Sequence, residues 1–352
     1  MAAPRTALIT RLFAGCVLAP LLAAPSAARA AQNPTQNSAP GSAEEPPLPF
    51  ARVESLGLPT ATATQLQQDL ERHDYIAAET VLLPAISSDP HSPHAVPLLN
   101  FLGGIYFLDR DYLHAAVAWN KSQAIAPLPA TLRFSLAMTY IRMGRSDWAR
   151  TALEKLAAEN PADNSQDALY IYWLGRLDFD QRAYPQAIAH FQQATTLAPG
   201  MARAYDSLGL CYYHQNENTL AIQAFQKAID LDRASPHPSA WPYLNLAIAQ
   251  QSTNQTTAAE NNLREAIRLD PTFAQPHFQL GNLLEARGQT QAAIAEFREA
   301  ARLDPSYAEP HFALARIYRI LGQPSAARAE VKTYLTLHAR SNSAPPPAQN
   351  LP

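Results

Sequence analysis

The sequence predicts an all-α chain: a row of antiparallel helix pairs repeated along residues 59–340. Two observations carry this. Residues 269–305 open and close on the same three letters, Leu-Asp-Pro, 34 residues apart. A fixed period of that length marks an array of repeated supersecondary units, each burying its faces against its neighbours. Within the stretch, Ala274, His277, Leu280, Gly281 and Leu284 fall on one helical stripe, and Ala293, Phe297 and Ala300 on a second. Arg287-Gly288-Gln289 breaks the pattern between them and Pro305 ends it, giving two helices joined by a tight turn. Gly281 and Ala293 permit close approach of the two helices, and Phe297 fills the space beside them.

Residues 1–30 differ from the rest. Arg5 and Arg11 precede a short apolar run that ends in Ala28-Arg29-Ala30. A basic start, an apolar centre and an A-x-A exit read as a secretory signal cleaved after Ala30, so the chain is expected to be exported, periplasmic or secreted. Phe13-Ala14-Gly15-Cys16 resembles a lipobox, which leaves lipid anchorage through Cys16 as the minor alternative. With the signal removed, Cys211 is the one cysteine, so stability must come from packing and no internal disulfide forms. Cys211 itself reads as a small buried hydrophobe. Residues 31–58 and 341–352 are rich in Pro, Ala, Asn, Gln and Ser, and are expected to be a flexible linker and a disordered tail.

The whole chain has 352 residues, 47% hydrophobic and 16% charged, with a net charge of −3. That charge offers no basic field for nucleic acid. Outside residues 1–30 no apolar run reaches the roughly 18 residues of a membrane span.

Units start near residues 59, 96, 130, 168, 202, 240, 274 and 308. The first shows only its second half: Asp74-Tyr75-Ile76-Ala77-Ala78, Leu82, Ala85 and Pro90. Next come Leu99-x2-Leu102-Gly103-x2-Tyr106 with Ala115, Trp119 and Pro127, then Leu136-Ala137-x2-Tyr140 with Gly144, Ala149, Leu153 and Pro161. Ile171-x2-Leu174-Gly175 with Ala187, Phe191, Ala194 and Pro199 precedes the clearest copy, Tyr205-x2-Leu208-Gly209-x2-Tyr212 with Ala221, Phe225 and Ala228. Beyond it lie Tyr243-x2-Leu246-Ala247 with Ala259, Leu263, Ala266 and Pro271, the 274 unit described above, and His311-x2-Leu314-Ala315-x2-Tyr318 with Gly322, Ala327 and Val331. Insertions near residues 91–95, 161–167 and 235–239 lengthen three of the steps, between units where added length is tolerated.

The pattern resembles the tetratricopeptide repeat, W-x2-L-G-x2-Y followed by A-x3-F, A and P. Trp is absent from the first signature position in every unit, and Arg133 is the poorest fit there. The resemblance implies a right-handed α-solenoid superhelix whose concave surface is lined by the first helix of each pair, and a role in binding proteins or peptides.

Positions 2, 5, 9 and 12 of each unit lie roughly opposite the core stripe at 100° per residue. In the middle units they and their neighbours are aromatic or hydrogen-bonding rather than plainly polar. The candidate partner-binding groove comprises Asn100, Phe107, Phe134, Arg142, Tyr172, Arg176, Phe179, Arg203, Tyr213, His214, Trp241 and Asn245. Aromatics and arginine are enriched at recognition surfaces, and such a groove suits an extended peptide or a partner helix. The bland alternative is packing of these rings against adjacent first helices. Resemblance to the clamp that grips an acidic chaperone tail fails, because no Lys stands at position 5 in any unit.

Phosphate-loop, dinucleotide, zinc-protease and nucleophile-elbow signatures are all absent, so no catalytic residue, cofactor or metal is expected. His91, His94 and His237 sit in the insertions without a third fixed ligand. His277 and His311 share one repeat position and read as packing residues. The expectation is a non-enzymatic scaffold or adaptor for a protein or peptide. The alternative is a structural or assembly component of a cell-envelope or secretion machine.

Overall fold

The computed structural model describes residues 53–159 and 164–343. Every regular element among them is helical, with sixteen α-helices and a short 3-10 turn at Val53–Leu56. The chain divides into two compact units, with the break between Met143 and Gly144. The described part of the first unit holds α1 (Thr60–Glu71), α2 (Tyr75–Ser88), α3 (Ala95–Leu108), α4 (Tyr112–Ile125) and α5 (Ala130–Arg142). The second holds α6 (Ser146–Glu159), α7 (Asn164–Asp180), α8 (Tyr184–Leu197), α9 (Ala202–His214), α10 (Asn218–Asp232), α11 (Trp241–Ser252), α12 (Thr256–Leu269), α13 (Ala274–Ala286), α14 (Thr290–Leu303), α15 (Glu309–Ile320) and α16 (Pro324–Ser343). Within each unit sequential helices pack on one another, so the fold is an α-solenoid of helix pairs.

The core of four of the pairs is a glycine facing a large ring. A Cβ built on Gly209 would lie 2.6 Å from the Phe225 ring, on Gly281 2.6 Å from Phe297, and on Gly175 2.8 Å from Phe191. Gly103 meets Trp119 in the same way. Trp119, Phe191 and Phe297 are wholly buried and Phe225 nearly so. Burying a ring of this size contributes about 2–3 kcal/mol. Where the small residue is alanine, as at Ala247 in α11, the partner position carries a smaller aliphatic, Leu263, and both are buried in one cluster. In that pair a smaller partner accompanies the added methyl, the complementarity that native packing density requires.

The turns inside the pairs follow one rule. His73, Arg110, Gly144, Arg182, Asn216, Asn254, Gly288 and Gly322 all have φ between +57° and +73°. This left-handed residue closes the first helix. The amide three residues past the helix returns to a carbonyl of its last turn, as in Asp111 to Tyr106 (2.8 Å), Ala183 to Asp178 (2.9 Å) and Gln289 to Leu284 (2.9 Å). Only three of the eight are glycine, so the glycine break visible in the sequence marks a minority of the turns. Between pairs, Asp270 and Asp304 accept from the backbone amides of Thr272 and Ser306, both at 2.9 Å, and end their helices structurally. Asp232 does this across the inserted residues 235–239, accepting from the Ser239 amide at 2.5 Å.

Three sequence expectations need correction. Val53 and Leu56 are buried beside α1, so the last residues of the expected linker 31–58 belong to the folded body. Residues 341–343 continue α16, so the tail begins later than 341. The insertion at 161–167 is taken up partly by an early start of α7 at Asn164 and not by a loop alone. Residues 1–30, including Cys16, the rest of the linker and residues 344–352 lie outside the described residues.

Candidate functional site

In the first unit, Phe107 and Phe134 are each 3% exposed. The Phe107 ring packs on Tyr112 (5.6 Å between centroids) and Trp119 (6.1 Å). These two rings are core, not groove: both are buried, and Phe107 packs on rings of the helix that follows it. Asn100 is half-buried; its carbonyl accepts from Trp119 Nε1 at 3.1 Å, and its side-chain Oδ1 is buried without a hydrogen-bond partner. Arg142 is exposed.

In the second unit, Tyr172 is also core, 1% exposed and packed on Phe191 at 5.6 Å. Its other side meets the Arg203 guanidinium, 5.1 Å from the ring centroid. Trp241 is half-buried against Phe273, centroids 4.5 Å apart. Asn245 is buried and donates to Asp206 Oδ1 at 3.0 Å, tying α11 to α9. Asp206 is 2% exposed. Burial pushes its carboxyl up to about 6, against the opposing pull of the Asn245 hydrogen bond and of Arg176. Arg176 is 12% exposed on its side chain and lies 3.9 Å from Asp180; its Nη1 is buried with no hydrogen-bond partner.

The remaining predicted residues meet in one place. The Arg176 guanidinium lies 5.5 Å over the half-buried Phe179 ring. Phe179 packs on His214 at 5.6 Å, and Tyr213 on His214 at 6.0 Å. Tyr213 is half-buried and His214 exposed. Two members were not foreseen. Tyr184, at the start of α8, stacks on His214 with centroids 5.0 Å apart and planes 7° from parallel. Arg182, in the left-handed turn position, helps burial hold the His214 imidazole below its usual pKa, which keeps it neutral near pH 7. A signal for both was present: Phe179-x-x-Arg182-x-Tyr184 repeats Phe107-x-x-Arg110-x-Tyr112 at an interval of 72 residues. The Phe107–Tyr112 and Phe179–Tyr184 ring pairs have nearly the same geometry, 5.6 and 5.7 Å.

This ledge offers ring faces, phenol hydroxyls, a neutral imidazole and two guanidinium groups. Its chemistry is that of recognition by stacking and hydrogen bonding. Cys211 is buried and its thiol is pushed up to about 12 by desolvation, so it presents no thiolate. His91, His94 and His237 are exposed, and no group of three potential ligands is gathered among the described residues. His277 and His311 are not simple packing residues. Each Nδ1 pairs with a carboxylate of the following helix, Glu296 at 2.7 Å and Glu330 at 2.6 Å. No helix of the described residues is long and apolar enough to cross a membrane.

Family models described as tetratricopeptide repeat match residues 134–199, 172–236, 242–273 and 262–295, and one described as TPR repeat matches 282–322. A general transcriptional corepressor of Schizosaccharomyces pombe is 24% identical over 258 residues, which cover 67% of this chain and 21% of that protein. The chain therefore spans about a fifth of that relative's length. A tetratricopeptide repeat protein from Parabacteroides merdae superposes with a TM-score of 0.57 at 16% identity, covering 81% of this chain and 99% of that one. The Cut9–Hcn1 assembly gives 0.55 at 18% identity over 72% and 48% of the two chains. PilW, a type IV pilus biogenesis factor, gives 0.52 at 21% identity over 61% and 95%. At these identities the superpositions speak for the fold. Together the family matches reach over half of the chain, and the repeated small-residue contacts and left-handed turns follow the same period: the chain belongs to the tetratricopeptide repeat family.

Proposed function

We propose that the chain is a non-enzymatic interaction scaffold that holds a peptide or partner protein at the ledge formed by Arg176, Phe179, Tyr184, Tyr213 and His214. The observation that carries this reading is that these side chains meet at one place and keep part of their rings accessible, whereas the candidates Phe107, Phe134 and Tyr172 are buried and the half-buried Trp241 packs on Phe273 instead. The stacked Tyr184–His214 pair and the Arg176–Phe179 contact hold the ledge in place before any partner arrives. Aromatic burial supplies the affinity and the guanidinium groups fix register.

The test is affinity capture with the full chain from extract of the source cells, compared with a Tyr213→Ala/His214→Ala variant. Tyr213 packs partly against the buried cluster of Ala221, Phe225 and Ile229, so melting is measured beside capture, and capture of a specific partner should fall at temperatures where both chains are folded. Capture that survives with unchanged melting removes the ledge from the reading.

A second reading places the scaffold in a cell-envelope or secretion assembly. Its support is the N-terminal pattern of Arg5, Arg11, an apolar run and Ala28-Arg29-Ala30. Mass analysis of the mature protein checks it. An N-terminus at Ala31 supports export, a lipid-modified Cys16 supports tethering, and an intact N-terminus rejects both.

A further inference from the structure

The last helix of the described residues, α16, carries an apolar face that is open. Val331 is 41% exposed and Leu335 58%. The repeat register shows what such a face does elsewhere. Residues 328 and 331 of α16 stand 34 positions after Ile294 and Phe297 of α14, which are 5% and 0% exposed in the stack of α13, α14 and α15. The same register governs a recurring polar tie. The residue after the large core side chain of a second helix reaches the tyrosine hydroxyl of the next first helix: Asn120 to Tyr140 (3.0 Å), Gln192 to Tyr212 (3.0 Å) and Arg298 to Tyr318 (2.7 Å). Lys332 occupies that position on α16, is exposed, and makes no ion pair among the described residues.

Charge limits what can cover the face. Arg328 and Lys332 flank Val331 and Leu335, with Arg340 further along. Among the described side chains of α16 the one acid, Glu330, is held by His311. Two copies meeting face to face would bring basic flanks together, which is unfavourable.

We propose that this face of α16 is a docking site for an amphipathic helix of a partner protein, apolar on one side and acidic on its flanks, seated as the first helix of a further repeat would be. Val331 and Leu335 take the apolar stripe, and Lys332 takes an acceptor on the incoming helix as Arg298 takes Tyr318. This site is independent of the ledge between α7 and α9.

The probe is a synthetic helical peptide with the apolar spacing of α15 and glutamates on its flanks; its control carries lysines at the same flanking positions. Fluorescence anisotropy against the full chain should show saturable binding of the acidic peptide, weakening as salt rises. Leu335→Asp should reduce affinity roughly tenfold or more, a loss of about 1.4 kcal/mol or above, with melting unchanged because the side chain is exposed. Lys332→Glu should weaken the acidic peptide and strengthen the lysine control. The proposal is overturned if neither peptide binds, if both bind equally, or if Leu335→Asp leaves affinity intact. It is also overturned if the chain forms a dimer that Leu335→Asp dissolves, which would assign the face to a second copy.

Discussion

The contact between Gly209 and Phe225 makes a quantitative prediction. Any side chain at 209 places its Cβ 2.6 Å from the Phe225 ring carbons Cδ1 and Cε1, whereas carbon atoms settle at about 3.5–4.0 Å. The ring or the helix must therefore yield by about 1 Å. Overpacking of that kind costs about 1–3 kcal/mol. Replacing glycine inside a helix returns about 1 kcal/mol of propensity, so Gly209→Ala should lose up to about 2 kcal/mol, and Gly209→Leu more. Phe225→Leu alone leaves a small void and should cost about 1 kcal/mol. The double variant recreates the alanine–leucine pairing found at Ala247 and Leu263, and should be more stable than the sum of its parts by about 1 kcal/mol. Urea unfolding followed by far-UV circular dichroism measures all five chains, with native-state hydrogen exchange in α9 and α10 locating the effect, since a repeat array need not unfold in one step. Strict additivity would refute the pairing argument, and a Gly209→Leu chain as stable as wild type would refute the register.

Three further outcomes follow from single side chains. The Asp206 carboxyl sits at about 6 in the folded chain and near 3.8 when exposed, so between those values the folded state binds more protons than the unfolded state. Stability from this group therefore falls as pH rises from about 4 to 6, by on the order of 2 kcal/mol, and Asp206→Asn should flatten that slope in urea midpoints taken at pH 4.5 and 7.5; an unchanged slope contradicts the assignment. Arg110 holds φ +59°, a left-handed conformation that disfavours a residue with a Cβ, so Arg110→Gly should leave the melting temperature equal or raise it, worth up to about 1 kcal/mol; a clear loss would mean that the arginine side chain holds the turn. Cys211 should resist a thiol reagent at pH 8 until the chain is unfolded, and rapid labelling of the native protein would contradict its burial.

The fold was legible because its determinants are periodic and local. Leu208, Gly209, Phe225 and their counterparts are read directly from spacing, and the structure uses them at the positions that spacing implies. The turns were only partly legible. Glycine announces a left-handed residue at 144, 288 and 322, but His73, Arg110 and Arg182 adopt the same conformation with side chains that give no such signal. The ledge was half legible: Arg176, Phe179, Tyr213 and His214 follow from helix faces, while Tyr184 and Arg182 lie past the turn, where a helical wheel does not reach.

Tyr172 shows why the wheel overstated the groove. A wheel asks which side of one helix faces away from its own partner, and position 5 qualifies. In the second unit α9 also touches the first helices α7 and α11, and α11 touches α13, and position 5 of α7, α9 and α11 is buried there. Within the second unit, Tyr172 and Leu244 at that position are 1% and 3% exposed, while Phe312, on the last first helix, is 53% exposed. The same repeat position is thus core in the interior of the array and surface at α15, and no property of the residue type distinguishes the two. What decides is whether another helix follows. An aromatic residue at position 5 therefore signals stacking of repeats; in the second unit it is position 12 and the turn beyond it, with Phe179, Tyr213 and Tyr184, that keep part of their rings accessible.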